Sequence, residues 1–403
     1  MKKEITGNRS VIVAGCRTPF AKASPPGSGK APGRLADVDP LDMQAPLVKT
    51  LLDRTGLDPK HVRKVITGCV HQEATQGLNI ARELVLHPGS GLTNATAGAT
   101  VDMFCASSLE TIAMADALIG RKPDAVYIVT GVQSMSQVPM GGFNPHLNPD
   151  ILDGNVAGFL DMPITAENVA RKYRVTREES DAFALRSHQR LAAAQDNGHF
   201  AGEIIPMEGL EQDDGVRRDT TMEGLAKLKT VALSESEGGI VTAGTASQIT
   251  DGAVAVMMTS EAFAEANHLP VLGVIIGAGE AGVAPERMGI GPVDAMLEAV
   301  KEAGLSMDDI GLIELNEAFA AQSIGVLKEF NARGIKIDES KLNVDGGAIA
   351  MGHPLGASGA RLALHLVNAM NRENVRYGIA ALCVGGGQGK AVVFENPNWK
   401  PGM

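Results

Sequence analysis

Apolar runs alternate with helical periodicity along the N-terminal third of the chain. Val11 to Gly15 has the pattern of a buried strand, and it is followed by ITGCV, by GLNIARELVL, by the segment around Cys105 and by AVYIVTG. Short apolar runs are typical of strands buried on both faces, and longer amphipathic runs are typical of helices. The alternation predicts an α/β fold with a mainly parallel sheet covered by helices.

The pattern changes from about Ser134 to Gly238. MSQVPMGGFNPHLNP is a Gly/Pro-rich loop, and two predominantly helical stretches follow it. We expect Thr165 to cap the first helix. The run from Thr176 to Glu179 matches a capping box before the second, which should end near Asn197. This segment is therefore interpreted as a helical insertion between sheet units.

Strand patterns return at GGIVTAG and AVAVMMTS, and VLGVIIGAG then starts a second series with the same order of elements. The prediction is two similar halves and an inserted domain. The N-terminal half comprises 1–133 and 238–270, the inserted loop domain 134–237, and the C-terminal half 271–403.

The two halves carry reactive side chains at equivalent positions. Gly56 and Gly304 lie in similar helix-turn-strand patterns, 304 − 56 = 248 residues apart. Cys105 and His353 are also 353 − 105 = 248 residues apart, each between a short apolar run and a long helical pattern. A duplicated α/β unit would therefore bring a thiol and an imidazole face to face about a pseudo-twofold axis.

Composition excludes several classes of function. A formal net charge of −11 argues against general nucleic-acid binding, which needs clustered Lys and Arg. The 4 cysteines lack both CxxC spacing and the density of a disulfide scaffold, so we expect reduced thiols. The start MKKEITGNRSVIVAG has no apolar signal segment, and no run has the roughly 18 uncharged apolar residues of a membrane span. We therefore expect a cytoplasmic protein without a membrane span.

Four segments place reactive groups after predicted strands: FCASS at Cys105, the run Asn316-Glu-Ala-Phe319, GHP at His353, and CVGGGQG from Cys383. Together with TAEN and TAGTASQITDGA, they resemble the thiolase family over nearly the whole chain. The resemblance implies the thiolase fold: two duplicated βαβαβαββ halves packed as a five-layered α-β-α-β-α core, with an inserted, mainly helical loop domain.

The resemblance also implies roles for these residues. Cys105 is the acylated nucleophile, His353 its activating base, and Cys383 the acid and base for the leaving and incoming groups. One oxyanion hole is implied for His353 with a water held by Asn316, and another for the backbone N–H groups of Cys105 and Gly385. A helix N-terminus contributes only ~0.3 to 1 kcal/mol to thiolate formation, so proton transfer to an imidazole is needed as well.

Coenzyme A is implied as a substrate, and no cofactor or metal is expected. The likeliest basic counter-patch on this acidic chain is Arg217-Arg218 with Lys227 and Lys229, although a solvated helix face explains these charges equally well. The resemblance assigns further substrate and CoA contacts to Ser247, Arg217, Met162, Ala246 and Phe319. GGGQGK lacks the spacing of a phosphate loop, and no Cys or His pair has zinc-ligand spacing.

The nucleophile segment departs from the usual family pattern Asn-x-x-Cys-x-Ser-Gly. Asp102 replaces Asn, Ser108 replaces Gly, and Glu110 stands where Gln is frequent. Glu110 lies about 140° around the predicted helix from Cys105, whereas Ser108 shares the face of Cys105 and is expected to shape the acyl pocket. Elsewhere, Gln133 replaces a common Glu, and Asp161-Met-Pro replaces His-Met-Gly.

These observations predict an acyl-CoA:acetyl-CoA C-acyltransferase that cleaves 3-ketoacyl-CoA with CoA, as in fatty acid β-oxidation. GCVHQEATQGLNIAR favours the degradative members, with acyl chain length open. The alternatives are an acetyl-CoA acetyltransferase specialised for acetoacetyl-CoA and a noncatalytic acyl-CoA-binding relative. A decarboxylating ketoacyl synthase would carry a second histidine in place of Cys383. The family implies a homodimer or homotetramer.

Overall fold

The structure is a computed structural model that describes residues 9–24, 27–155, 158 and 160–402 of the 403-residue chain. The strands are β1 (Ser10–Arg17), β2 (Ala21–Lys22), β3 (Val62–Gly68), β4 (Ala97–Val101), β5 (Val126–Ser134), β6 (Thr250–Ser260), β7 (Gly273–Gly282), β8 (Leu312–Leu315), β9 (Tyr377–Val384) and β10 (Gln388–Glu395). The helices are α1 (Pro40–Thr55), α2 (Ile80–Leu86), α3 (Ser107–Arg121), α4 (Pro149–Asn155), α5 (Met162–Tyr173), α6 (Arg177–Asp196), α7 (Met222–Ala226), α8 (Glu261–Ala266), α9 (Gly291–Glu302), α10 (Ala320–Ala332), α11 (Ala348–Met351) and α12 (Leu355–Arg372). Within these ranges no helix has the length and apolar character needed to cross a membrane.

The strands are hydrogen-bonded to their neighbours in the order β4-β3-β5-β6-β1-β7-β10-β9-β8, with β2 beside β6. β3 runs parallel to β4 and β5, and β8 runs parallel to β9. The two halves of the chain meet at β1 and β7, where only Val11 with Val274 and Ile12 with Gly273 are paired. Each half thus builds its own sheet, and a short antiparallel contact joins the two.

The side chains of each sheet are apolar on both faces, because helices cover both. In β1, Ile12 belongs to the central core with Leu364 of α12, whereas Val13 belongs to an outer core with Leu47 of α1. Successive strand residues point to opposite faces, so one strand contributes to two cores. Helices α3 and α12 lie between the two sheets, α1 and α2 cover one outer face, and α9 and α10 cover the other. This arrangement confirms the predicted five-layered α-β-α-β-α core.

Glycines allow the first turns of α3 and α12 to lie very close together. A Cβ atom at Gly359 would be 2.3 Å from the Leu109 nitrogen, and one at Gly356 would be 2.3 Å from the Val132 oxygen. Any larger residue would push α12 away from α3 at Gly359 and away from β5 at Gly356. The helices begin at positions separated by 355 − 107 = 248 residues, the spacing predicted from the reactive side chains, so the duplication is confirmed.

The insertion contains α4 to α7, and one of its two predicted helix starts is correct. Thr176 caps α6 through a complete capping box with Glu179, and α6 ends at Asp196 with Asn197 as C-cap. The prediction for Thr165 is wrong, because α5 begins earlier, after Asp161, with a proline in its first turn. Proline fits the first turn of a helix because its missing N–H has no partner there. Thr165 therefore lies inside α5.

The predicted strand GGIVTAG is also absent from the structure. Gly238 has a φ of +79°, and the N–H groups of Ile240 and Val241 donate to the Glu167 carboxylate of α5 instead of to a neighbouring strand. The segment is apolar because it packs under α5. The apolar run alone does not distinguish this setting from a sheet.

Candidate active site

Cys105 lies in a tight turn immediately before α3. Phe104 has a φ of 45°, in the left-handed region that non-glycine residues rarely adopt. The turn is held by Asp102 Oδ1, which accepts the Phe104 N–H at 2.8 Å, and by Ser107 Oγ, which accepts the Met103 N–H at 2.9 Å. Backbone strain of this kind is common at functional sites, and here it directs a buried thiol to the helix N-terminus.

Two backbone N–H groups are directed at the Cys105 sulfur. They belong to Gly385 and to Cys105 itself, and both act to lower the thiol pKa. Burial dominates, however, and together with a small contribution from Asp102 it raises the pKa of Cys105 to about 11. The resting group is therefore a neutral thiol, and its activation requires a base.

His353 lies in the equivalent turn before α12. Its backbone N–H donates to Thr250 Oγ1 at 3.1 Å, and Gly352 before it has a φ of 110°. A Cβ atom at Gly352 would lie 2.3 Å from Thr250 Oγ1, so glycine is required by both conformation and space. Leu355 follows two residues later and packs in the same apolar cluster as Cys105. The loop that carries His353 therefore packs against the Cys105 turn, while a direct contact of thiol and imidazole stays a prediction.

The His353 imidazole is buried between two polar side chains. Nδ1 lies 2.5 Å from Ser358 Oγ, and Nε2 lies 3.3 Å from Asn316 Nδ2. Burial, reinforced by the Arg361 guanidinium, lowers the pKa of His353 to about 3. The ring is therefore neutral at physiological pH, which is the form that accepts a proton.

Asn316 and Glu317 follow β8 and are fixed by different partners. The Asn316 N–H donates to Ala381 O of β9 at 2.9 Å, and its buried Oδ1 has no hydrogen-bond partner among the described residues. The buried Glu317 carboxylate accepts from Ser187 Oγ at 2.6 Å and from Asn343 Nδ2 at 2.8 Å. Glu317 holds the loop in place, while the free acceptor of Asn316 fits a bound water.

Cys383 is fully buried near the end of β9, and its surroundings are apolar. It packs with Ala318, Phe319 and Met288. Burial, together with the nearby Cys105 sulfur, raises the pKa of Cys383 well above the usual range of a thiol. Two neutral thiols thus lie close to each other, with the Gly385 N–H directed at the first of them.

A cleft of about 230 Å³ adjoins this site and is lined by Arg217, His188, Gly244 and Gln248. The Gln248 carbonyl accepts the His353 N–H at 3.3 Å, so the inner end of the cleft reaches the catalytic loops. Burial, with the neighbouring Arg217, lowers the pKa of His188 to about 4, so Arg217 is the cation of the cleft.

The predicted basic patch is smaller than expected. Arg217 lines the cleft, whereas Arg218 forms an ion pair with Asp196 at 2.9 Å. Lys227 is not part of the cleft lining, and Lys229 lies in a separate shallow depression. Of the four charges, only Arg217 lines this cleft.

The other predicted contact residues lie between the cleft and the two cysteines. The Ser247 N–H donates to Ala318 O at 2.9 Å, and Ala246 pairs with Phe319 in an isolated bridge. Met162, the first residue of α5, packs against the apolar cluster that contains Cys383. The structure therefore brings together all of the predicted contact residues except the outer cations.

Two departures in the nucleophile segment are explained by long-range contacts. The Glu110 carboxylate lies 2.6 Å from the buried Lys390 ammonium of β10, and this contact raises the pKa of Lys390 in spite of burial. The Glu110 charge is therefore neutralised. The Ser108 Oγ accepts the Ala360 N–H of α12 at 2.9 Å and so joins two helices, while its effect on the acyl pocket stays a prediction.

Three functional contacts were not found from the sequence. Ser358 binds the His353 ring, Gln133 Oε1 accepts the N–H groups of Val70 and Gly356, and His365 lies fully buried between Glu203 and Asp345. Of these contacts, only that of Ser358 could have been predicted from the sequence. Ser358 lies four residues after Pro354, which follows His353, so helical spacing brings its side chain back toward the His353 loop.

The chain belongs to the thiolase family. The family model described as "Thiolase, N-terminal domain" matches residues 10–262, and that described as "Thiolase, C-terminal domain" matches residues 269–396.

Curated relatives and solved structures agree with this assignment. The 3-ketoacyl-CoA thiolase of Bacillus subtilis (strain 168) is 43% identical over 96% of this chain and 99% of its own length. The same-named protein of Pseudoalteromonas translucida (strain TAC 125) is 41% identical over 96% and 99%. Human mitochondrial 3-ketoacyl-CoA thiolase in complex with CoA superposes with a TM-score of 0.85 at 36% identity, over 96% of this chain and 98% of that chain. The Bacillus anthracis acetyl-CoA acetyltransferase gives 0.83 at 33% identity, over 97% and 99%.

Proposed function

We propose that this protein catalyses CoA-dependent thiolysis of 3-ketoacyl-CoA to acetyl-CoA and a shortened acyl-CoA. The observation that carries the proposal is the convergence of three loops. The Cys105 and Cys383 thiols lie close enough to affect each other, and Leu355 of the His353 loop packs against Cys105. The neutral His353 ring, with a pKa of about 3, lies beside Asn316. The names of the curated relatives support the same reaction.

The first half-reaction transfers the acyl group to Cys105. As the Cys105 sulfur attacks C3 of the substrate, His353 Nε2 takes the thiol proton and the bond between C2 and C3 breaks. Cys383 then protonates the resulting enolate carbon, which releases acetyl-CoA and leaves a Cys383 thiolate. Because both resting thiols are neutral, Cys383 retains the proton that this step needs.

The second half-reaction reverses these proton transfers. The Cys383 thiolate takes the proton of incoming CoA, and the CoA sulfur attacks the acyl carbonyl on Cys105. The Cys105 sulfur leaves and regains its proton from His353. The backbone N–H groups of Cys105 and Gly385 are oriented in advance for one oxyanion, and Asn316 with a water and His353 for the other.

The apolar surroundings of Cys105 favour substrates longer than acetoacetyl-CoA. Val70, Met135 and Leu355 pack around the nucleophile, so an acyl chain bound there replaces contacts with water by apolar contacts. The second candidate is an acetyl-CoA acetyltransferase acting on acetoacetyl-CoA, which the likeness to the Bacillus anthracis enzyme supports.

The two candidates are separated by the chain-length dependence of thiolysis. We expect kcat/KM for 3-ketooctanoyl-CoA to exceed that for acetoacetyl-CoA by about tenfold, because a few buried methylenes are worth ~1 to 3 kcal/mol. The measurement is CoA-dependent cleavage by the purified protein. A preference for acetoacetyl-CoA would establish the second candidate, and inertness toward both would indicate a noncatalytic acyl-CoA-binding relative.

Binding of CoA in the Arg217 cleft gives a separate prediction. The Arg217→Gln protein should show a KM for CoA about tenfold higher with little change in kcat, because one charge-assisted hydrogen bond is worth ~1.5 kcal/mol or more. Arg218→Gln is the matched control, since Arg218 pairs with Asp196 outside the cleft. If the two substitutions changed the KM for CoA equally, the CoA phosphates would not bind at Arg217.

We also propose that the protein is a homo-oligomer, a dimer or a tetramer formed through the Cys-bearing halves. In the N-terminal half, which carries Cys105, β4 is the edge strand. Among the described strands β4 pairs only with β3. An edge strand with free N–H and C=O groups is suited to pairing with a second copy. Light scattering of the purified protein measures the number of subunits.

A further inference from the structure

We propose that Ser358 is a positioning residue that fixes the tautomer of His353, and thereby keeps the basic nitrogen directed at the reacting groups. The proposal rests on the proposed function, in which His353 Nε2 accepts the proton of Cys105. It concerns a contact on the far side of the ring from the substrate.

The geometry places Ser358 behind the imidazole. Ser358 Oγ lies 2.5 Å from His353 Nδ1 and 3.0 Å from the Pro354 carbonyl oxygen. Both side chains are almost completely buried, with Ser358 1% and His353 4% exposed. Ser358 lies in the first turn of α12. Pro354, whose carbonyl oxygen accepts the Ser358 hydroxyl, is the N-cap residue of this helix. Bulk water therefore does not compete for these bonds.

The carbonyl determines the direction of the hydrogen bonds. The Pro354 oxygen only accepts, so the Ser358 hydroxyl donates its proton to it and presents a lone pair to the ring. His353 Nδ1 must then carry the hydrogen and donate to Ser358 Oγ. In the neutral ring the other nitrogen, Nε2, is left with its lone pair.

The opposite side of the ring fits the same tautomer when the Asn316 amide is oriented as in this structure. Nε2 lies 3.3 Å from Asn316 Nδ2, an amide nitrogen that only donates. A hydrogen on Nε2 would face the amide hydrogens of Asn316. Ser358 thus fixes the tautomer with Nε2 as the base, and the Asn316 contact is compatible with it; a base oriented by a third group is the arrangement expected.

Removing the hydroxyl should lower the rate without weakening CoA binding. In the Ser358→Ala protein the Nδ1–H loses its acceptor and the ring is free to adopt the other tautomer or to rotate. We expect kcat to fall about tenfold or more, as for loss of one buried hydrogen bond, with the KM for CoA changed less than twofold. Ser358→Thr retains the hydroxyl and should recover most of the lost kcat.

A matched substitution controls for the loss of a buried serine. Ser10 is equally buried but lies on β1, with its Oγ 3.4 Å from the Asp116 carbonyl. The Ser10→Ala protein should retain kcat. If Ser358→Ala also retains kcat within twofold while remaining folded, or if Ser358→Thr is no better than Ser358→Ala, the proposal is overturned.

The tautomer itself is measurable in the unsubstituted protein, so the test does not depend on whether a variant folds. Long-range ¹H–¹⁵N spectra of protein labelled with ¹⁵N-histidine distinguish the two ring nitrogens, and the His353 signals are identified by their absence from His353→Gln. We expect hydrogen on Nδ1 of His353, and hydrogen on Nε2 would contradict the proposal. Absence of thiolysis by the unsubstituted protein would instead refute the proposed function and leave this tautomer measurement interpretable.

Discussion

Thiolysis by the Cys105→Ser protein is expected to be at least about 10⁴-fold slower than by the unsubstituted protein. The substitution replaces a sulfur with a much weaker nucleophile. Removal of a nucleophile commonly lowers kcat as much as removal of all the catalytic residues that act together with it. Here the environment adds to the effect. Burial already raises the pKa of the Cys105 thiol to about 11, so a hydroxyl in the same place is far beyond the reach of a neutral imidazole.

Two measurements accompany the loss of rate. The first is mass spectrometry after brief mixing with substrate in the absence of CoA, which should detect an acyl group on Cys105 in the unsubstituted protein and none in Cys105→Ser. The second is the same assay on Cys16→Ser, a matched control because Cys16 is also fully buried but lies on β1 against Leu47 O. If Cys105→Ser retained more than about one per cent of the thiolysis rate of the unsubstituted protein, Cys105 would not be the nucleophile.

The duplicated core could be predicted from the sequence because duplication preserves register. The spacing between Cys105 and His353 is also the spacing between the first residues of α3 and α12. The repeated pattern of a short apolar run followed by a long helix therefore identified both loops that carry these reactive side chains. The same regularity predicted that the loops meet. The close packing at the start of α12 depends on Gly356 and Gly359. Both glycines are visible in the sequence, but only the structure shows that a Cβ atom at either position would clash with neighbouring backbone atoms.

The errors arise where a distant partner decides the local structure. GGIVTAG has the composition of a strand, yet its N–H groups bind Glu167, 73 residues earlier in the chain. The contact of Glu110 with Lys390 likewise could not be found from the local sequence, because Lys390 lies 280 residues away (390 − 110 = 280). The helix spacing that predicted a role for Ser108 in the acyl pocket does not reveal that α12 lies on that side.

A buried charge cluster joins the three parts of the chain, and it was not predicted at all. Arg17 at the end of β1 forms ion pairs with Glu203 at 2.7 Å and with Asp213 at 2.6 Å, both from the insertion. Glu203 also lies 3.2 Å from His365 of α12, the helix that follows His353. The cluster therefore fixes the insertion, which carries the Arg217 cleft, against both halves.

Each charge in this cluster depends on its neighbours. Burial alone would raise the pKa of Glu203, but the His365 and Arg17 cations outweigh burial and lower it to about 2. Burial alone would likewise lower the pKa of His365, but Glu203 and Asp345 raise it to about 10. At neutral pH Glu203 and His365 are therefore both charged, and removing one partner leaves the others buried without compensation.

The Arg17→Met protein should consequently lose about 3 to 5 kcal/mol of unfolding free energy, the usual cost of breaking a buried ion pair on one side. Arg376→Met is the matched control: Arg376 pairs with Glu395 on the surface, with 46% of its side chain exposed, and its removal should cost less than about 1 kcal/mol. Urea denaturation measures both. The double variant Arg17→Met/Asp213→Asn should recover part of the loss, because the amide oxygen still accepts the Phe20 N–H while the unpaired charge is gone.

The pH dependence of that loss provides an independent check. Because the folded-state pKa of Glu203 lies at about 2, below its unfolded value of about 4.3, its stabilisation is present above pH 4 and disappears as the pH falls toward 2. The difference between Arg17→Met and the unsubstituted protein should therefore be largest near neutrality and shrink between about pH 4 and pH 2. A difference that stays constant through this window would mean that the arginine stabilises the fold by packing between Phe20 and Phe200 and not through its charge.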